Sequence, residues 1–479
     1  MQPNYSQTKA SSIAIIGGGI AGATAAVHLA ELGLNVTLIE KKDGLISGPP
    51  ICHLHAGGNL YREISTEQCL VLLKQSIDTA RLYPNTVNTR PTVIAVPYVD
   101  GGTPEELYER LIAVQSAYRQ LVDQDSANKV LGEPEEYYRF YSRDEVEALK
   151  EKSQPEHPVC FDDWLIPFAK HTDLDTLKFP IAVVQEPGWS VFRIGAAAEL
   201  ALGKIQNCQL LLQTEVTNLA ESESGWQICC QNQSGESTTL EVDYLVNACG
   251  YETGSIDDLA KKPRSRLVEF KAAYVTQWKD YDELWPEVIF HGPRGTPNGM
   301  AQLTPYPNGV FQLHGMTKDI TLFDDGLVSS CERSSQPKLP SRLKDKIVSG
   351  WDEQVVIERS RRAIDHMARF VPDYKHATEY GTPLFGAQQI PGSDETLRAA
   401  DVTFEGQHYA RIEVVKGSSA LEAAMKLVNQ WQLFDYESRS IEELHPVSMS
   451  LNAKQVEEKA KMIAASRDYP PELAEYYGE

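Results

Sequence analysis

Gly17, Gly19 and Gly22, in the run Gly17-Gly18-Gly19-Ile20-Ala21-Gly22, and Glu40 beyond them have the types and spacing needed to hold a dinucleotide. A pyrophosphate must sit against bare backbone at a helix N-terminus, where N–H groups point outward and the helix dipole favours negative charge. Gly17 permits the sharp turn, Gly19 the approach of the phosphates, and Gly22 the close packing of helix on strand. Ile20 and Ala21, between Gly19 and Gly22, are candidate cofactor contacts with them. Glu40 stands 18 residues after Gly22, where a carboxylate can accept from ribose hydroxyls and would repel a 2′-phosphate, and Lys41 follows it. The elements that must position these residues are also legible. An apolar strand (12–16) precedes the glycines, an alanine-rich helix (23–32) stopped by Gly33 follows, and a second strand (35–39) ends at the acid.

The chain has 479 residues, 42% of them hydrophobic, enough for two interleaved domains. A net charge of −22 makes nucleic acid and anionic membrane surfaces poor partners. No apolar run reaches the roughly 18 residues of a membrane span, so no transmembrane segment is expected. Eight cysteines contain no CxxC pair, and no secretory leader precedes the first strand, so the expected setting is a reducing cytoplasm. No spacing fits a metal site. Cys229 and Cys230 are adjacent on an expected strand and point to opposite faces.

Further along come a helical stretch (195–203), a short strand (209–212), the segment Thr214-Glu215-Val216, and a hairpin (226–231 with 237–242) turning at Ser234-Gly235. An apolar strand then runs into small residues, Asp243-Tyr-Leu-Val-Asn-Ala248-Cys249-Gly250. In these motifs the chain resembles the FAD-dependent, D-amino-acid-oxidase-like family of the glutathione-reductase-like superfamily. The loop Cys52-His53-Leu54-His55-Ala56-Gly57 looks like the family segment that passes the flavin ring, nearer to the 2-hydroxyglutarate and malate:quinone enzymes than to the amine oxidases. Pro49-Pro50 departs from that pattern, as does the missing acid after Pro383. The resemblance implies an α/β fold: a Rossmann-like FAD-binding domain interleaved with an α+β substrate domain built on an antiparallel sheet. It implies cofactor contacts at Val216, at Ala248, Cys249 and Gly250, and at His55, Ala56 and Gly57. The turn Lys416-Gly417-Ser418-Ser419 would close the FAD site with its N–H groups and a helix end.

On this reading the FAD-binding domain comprises 11–91, 186–264 and 376–435, the substrate or lid domain 92–185 and 265–375, and 436–479 an acidic C-terminal tail. The arginines at 359, 361, 362 and 369 read as a solvated helix face. Oxidising a 2-hydroxy acid takes a base for the hydroxyl, a cation for the carboxylate, and a C2 hydrogen held about 3–3.5 Å from the acceptor atom. His55 is the first candidate for the base, followed by His53, His291 and His314; a histidine in this loop could instead bond covalently to the flavin. Arg294 is the candidate cation, with Arg266 and Lys271 as alternatives, and Tyr306 and Gln302 could line the pocket. The expected activity is hydride removal from a small carboxylate substrate, a 2-hydroxy acid in preference, with electrons passing to a quinone, another carrier or oxygen. Oxidation of an amino or imino acid at a C–N bond is the alternative, and a non-catalytic FAD-binding protein the third.

Overall fold

The computed structural model describes residues 11–51, 64–279 and 283–478. Strand β1 (Ser12–Ile16), helix α1 (Ile20–Glu31) and strand β2 (Asn35–Ile39) form where the apolar run, the glycine turn and the alanine-rich stretch place them. β1 lies at the middle of a six-stranded sheet, parallel to β2 on one side and to Tyr244–Asn247 on the other. Cys208–Leu211 extends the sheet beyond β2, and Tyr409–Ile412 extends it beyond Tyr244–Asn247, both in parallel. Val402–Glu405 adds an antiparallel edge. Four neighbouring parallel pairs with a helix crossover are the doubly wound pattern expected of the sequence.

The hairpin expected around Gly235 pairs Gly225–Asn232 with Ser237–Val242, placing Trp226 opposite Val242, and Thr214–Ser222 completes the meander. A second, ten-stranded and largely antiparallel sheet is built around the long strand Arg266–Gln277. That strand pairs with Val310–Gly315 and, over eight residues, with Leu384–Pro391. Its inner strands are buried on both faces, with an apolar face and a face that carries Glu287, Gln302, Thr304, Gln312 and His314. Glu287–Phe290, Ala301–Tyr306 and Val310–Gly315 are buried throughout.

The segment expected as an acidic tail is folded. Helix Ala453–Ser466 places Val456, Ala460 and Ala464 on one stripe and packs them against helix Val191–Leu202 in the core of the dinucleotide half. The acidic residues lie on the other face, which is why composition alone suggested a tail. The arginine face also needs correcting at two positions. Arg369 donates to Asn298 Oδ1 at 2.9 Å and to Pro297 O at 3.3 Å. Arg359 donates to the Tyr274 hydroxyl and to the carbonyls of Ile320 and Leu322, tying its helix to the lid sheet, while Arg361 and Arg362 are solvated.

The two sheets meet at a buried ionic cluster. Asp257, on the helix that follows Tyr244–Asn247, accepts from Arg266 of the lid sheet, from Arg411 Nε at 2.6 Å and from the Tyr409 hydroxyl at 2.7 Å. All three charged groups are at most 1% exposed. Removing one partner of a buried pair leaves an uncompensated charge. Asp257→Ala, which leaves Arg266 with Glu413 and Arg411 with Glu405, each only at 3.5 Å, is expected to lower unfolding stability by about 3–5 kcal/mol in chemical denaturation. Asp257→Asn, which keeps the side-chain volume and one of the two acceptor oxygens, should lose less.

Candidate active site

The glycine turn shows one reason for each glycine. Gly17 has φ +101° and its N–H donates to Ile39 O at 2.8 Å; a Cβ there would lie 2.6 Å from Ala248 O. At Gly22 a Cβ would lie 1.8 Å from Gly17 O. Gly19 faces open space, with no atom within 4 Å of a Cβ, and it precedes a helix whose N-terminus has no side-chain cap. Those helical N–H groups, Ile20 and Ala21 among the cleft-lining residues, face a cleft of about 980 Å³. Glu40, 8% exposed, is held by Gly18 N–H at 2.6 Å and Lys42 N–H at 2.8 Å, and it lines the same cleft. Lys41 pairs with Glu252 at the mouth.

Val216, Ala248, Cys249, Gly250 and Gly417 line this cleft too. The Cys249 Sγ contacts Ile16 O at 3.2 Å, and burial pushes its thiol far up, so it is an inert packed residue. Ser418 and Ser419 are turned away: the Ser419 hydroxyl donates to Gln75 Oε1 at 2.6 Å, and Ser418 O accepts from the Thr79 hydroxyl at 2.8 Å. His53, His55, Ala56 and Gly57 lie outside the described residues.

A second cavity of about 480 Å³ opens beside the cleft. Gln388 lines both, accepting from Lys271 Nζ at 3.2 Å and donating to Val415 O at 2.5 Å. Arg294 lies in the wall, paired with Glu269, and Lys271 pairs with the other oxygen of the same carboxylate at 2.7 Å. Burial raises the Glu269 carboxyl, but the two cations outweigh it and hold its pKa below the usual range. Burial pulls Lys271 down to about 8 against the pull of Glu269. His291, Arg398 and Lys416 also line the wall.

Other sequence candidates are elsewhere. Tyr306 is buried in the main hydrophobic core and does not line the cavity. Gln302 donates to Glu287, which pairs with Arg90, beneath the sheet. Arg266 belongs to the Asp257 cluster, and His314 is buried off the cavity. Arg398 was missed, since it stands on a loop with no periodic signal. Glu269 and Lys271 did leave one, being charges two apart on an otherwise apolar strand and hence on one face.

A doubly wound sheet with an open glycine cradle, an acid at the end of the second strand and a lid sheet with a polar cavity alongside defines a dinucleotide-dependent oxidoreductase. Residues 12–384 match the family model described as FAD dependent oxidoreductase (DAO), and the chain belongs to that family. It is an FAD-dependent enzyme, and the cradle, cleft and Glu40 fit that cofactor. No curated protein matches the sequence. Among solved structures the fold is similar to glycine oxidase from Geobacillus kaustophilus (TM-score 0.56, 15% identity, 92% of this chain and 99% of that one). It is also similar to the L-amino acid deaminase from Proteus vulgaris (0.56, 12%, 94% and 96%). A third likeness is to the glycerol-3-phosphate dehydrogenase from Bacillus halodurans complexed with FAD (0.53, 12%, 96% and 73%). No helix among the described residues is long and apolar enough to cross a membrane.

The glycine roles separate by substitution. Gly19→Ala should leave the melting temperature of the apoprotein unchanged and weaken FAD binding at least about ten-fold, because the methyl group occupies the approach of the phosphates. Gly22→Ala should destabilise the apoprotein itself by about 1–3 kcal/mol. Flavin absorbance retained through gel filtration, beside apoprotein melting curves, reads both.

Proposed function

We propose that this FAD-dependent oxidoreductase removes a hydride from C2 of a small 2-hydroxy acid held in the cavity beside the cofactor cleft. The observation that carries this reading is the charge of that cavity. In a chain of net charge −22, its wall has five basic side chains (Lys271, Arg294, Lys318, Arg398, Lys416) against two acids, Glu269 and Glu395. A hydroxy acid brings only negative charge to that surplus. A zwitterionic amino acid would bring an ammonium group to be placed among the cations, which disfavours the amine-oxidising alternative.

FAD, when bound, supplies the two-electron acceptor. The protein's part is binding and proton handling. Arg294 offers a fork for a carboxylate, and Glu269, shared with Lys271, fixes both cations at one end of the cavity. Gln388 couples that end to the cofactor cleft through Val415 O, next to Lys416 and Gly417. His55 is the proposed base, with His53 behind it. The electrons would leave to a quinone, another carrier or oxygen, in keeping with the 2-hydroxyglutarate and malate:quinone type. Residues 11–91, 186–264 and 376–435 would form the cofactor domain, and 92–185 with 265–375 the substrate domain.

Anaerobic addition of 2-hydroxy acids to the purified holoenzyme should bleach the flavin band, whereas bleaching by 2-amino acids alone would refute the proposal. Arg294→Met should lower kcat/KM by roughly 10- to 150-fold, the equivalent of one charge-assisted hydrogen bond of about 1.5–3 kcal/mol. Lys271 is an ammonium below its pKa of about 8 and loses that charge above it. The kcat/KM for a hydroxy acid should therefore fall as pH rises through about 8. In Lys271→Arg, whose charge persists, a pH profile should show the fall displaced upward.

A further inference from the structure

Helix Ala453–Ser466 ends at the cofactor cleft, and the three residues that follow it, Arg467, Asp468 and Tyr469, line that cleft. Arg467 donates to Gly48 O at 2.7 Å, Ser47 O at 3.1 Å and Ile46 O at 3.4 Å, so it holds the loop that leaves Glu40. Its guanidinium carbon lies 5.4 Å from the ring centroids of both Phe192 and Tyr469. On the other side, the Tyr469 hydroxyl donates to Pro383 O at 3.1 Å, and Gly381, Thr382 and Pro383 form a further part of the cleft lining. Arg467 and Tyr469, with Asp468 between them in the lining, therefore tie two walls of one cleft together.

Among the described residues no carboxylate pairs with Arg467, and the carbonyls that fix its position are neutral. Partial burial outweighs the favourable fields of Tyr469 and Asp43. A half-buried guanidinium held by neutral carbonyls at a cofactor cleft is placed to meet an anion, and the pyrophosphate of FAD is dianionic. These residues also lie beyond the 12–384 stretch that the family shares.

We propose that Arg467–Tyr469 is a cofactor-binding wall contributed by the C-terminal segment, in which Arg467 sets FAD affinity by supplying charge and fixing residues 46–48, and Tyr469 ties that wall to the Pro383 turn. The test is titration of the apoprotein with FAD, read by quenching of flavin fluorescence, with the apoprotein's melting temperature as control. Arg467→Met is expected to raise the Kd at least about ten-fold, Arg467→Lys by less, and Tyr469→Phe by about three-fold, all with little change in apoprotein melting. In the wild-type protein, FAD should slow hydrogen exchange at the amides of 46–48 and 464–469. Arg467→Lys and Tyr469→Phe that bind FAD as tightly as the wild type would overturn the proposal. So would exchange over 464–469 that FAD does not change, a readout that holds even if Arg467→Met fails to fold. A wild-type apoprotein that bound no FAD at all would remove the cofactor assignment and this wall with it.

Discussion

The geometry of this enzyme depends on one carboxylate, Asp257, shut away from water between two arginines from different sheets. Arg411 comes from the dinucleotide sheet and Arg266 begins the long lid strand, so the acid fixes where one sheet crosses the other. Burying such a group adds little net stability, because desolvation consumes most of the Coulomb gain. What it imposes is position. Arg266 also donates to Gln389 at 3.2 Å, and the neighbouring residue on that strand, Gln388, points the other way into the space shared by cavity and cleft. A single alternation along Leu384–Pro391 thus converts a buried ion pair into the placement of the active site.

What could be read from the chain beforehand was what local physics decides. The glycine turn, the acid at the end of β2 and the Gly235 hairpin each answer to a requirement within a few dozen residues, and each is found where expected. The reading failed where a residue's environment is set by chain far away. Tyr306, a pocket candidate in the sequence, ends a strand that is buried along its whole length and lies in the main core, a placement its neighbours in sequence do not reveal. The last forty residues looked like a tail because their burial depends on helix Val191–Leu202, to which no sequence periodicity points. Arg398 reaches the cavity from a loop whose path is set by tertiary contacts, Gln68 Oε1 accepting from its N–H at 2.9 Å.

On the proposed reading, the cavity would let a strongly acidic protein hold an anionic substrate. Long-range repulsion from the whole chain is screened within about 8–10 Å at physiological salt, so the cations in the wall dominate close in. Pairing Lys271 and Arg294 with one Glu269 keeps two half-buried cations from repelling each other apart while leaving a positive surplus. Specificity in such a site comes from the total charge as much as from any one contact.

The strand order has a consequence for how the enzyme is made. β1 needs Tyr244–Asn247 as a neighbour, and α1 packs against a helix that begins at Ala420, so the nucleotide site is completed by segments far apart in sequence. Such non-local pairings cost loop-closure entropy before they stabilise anything, so the glycine cradle is finished late in folding and flavin can enter only a chain whose distant segments have already met.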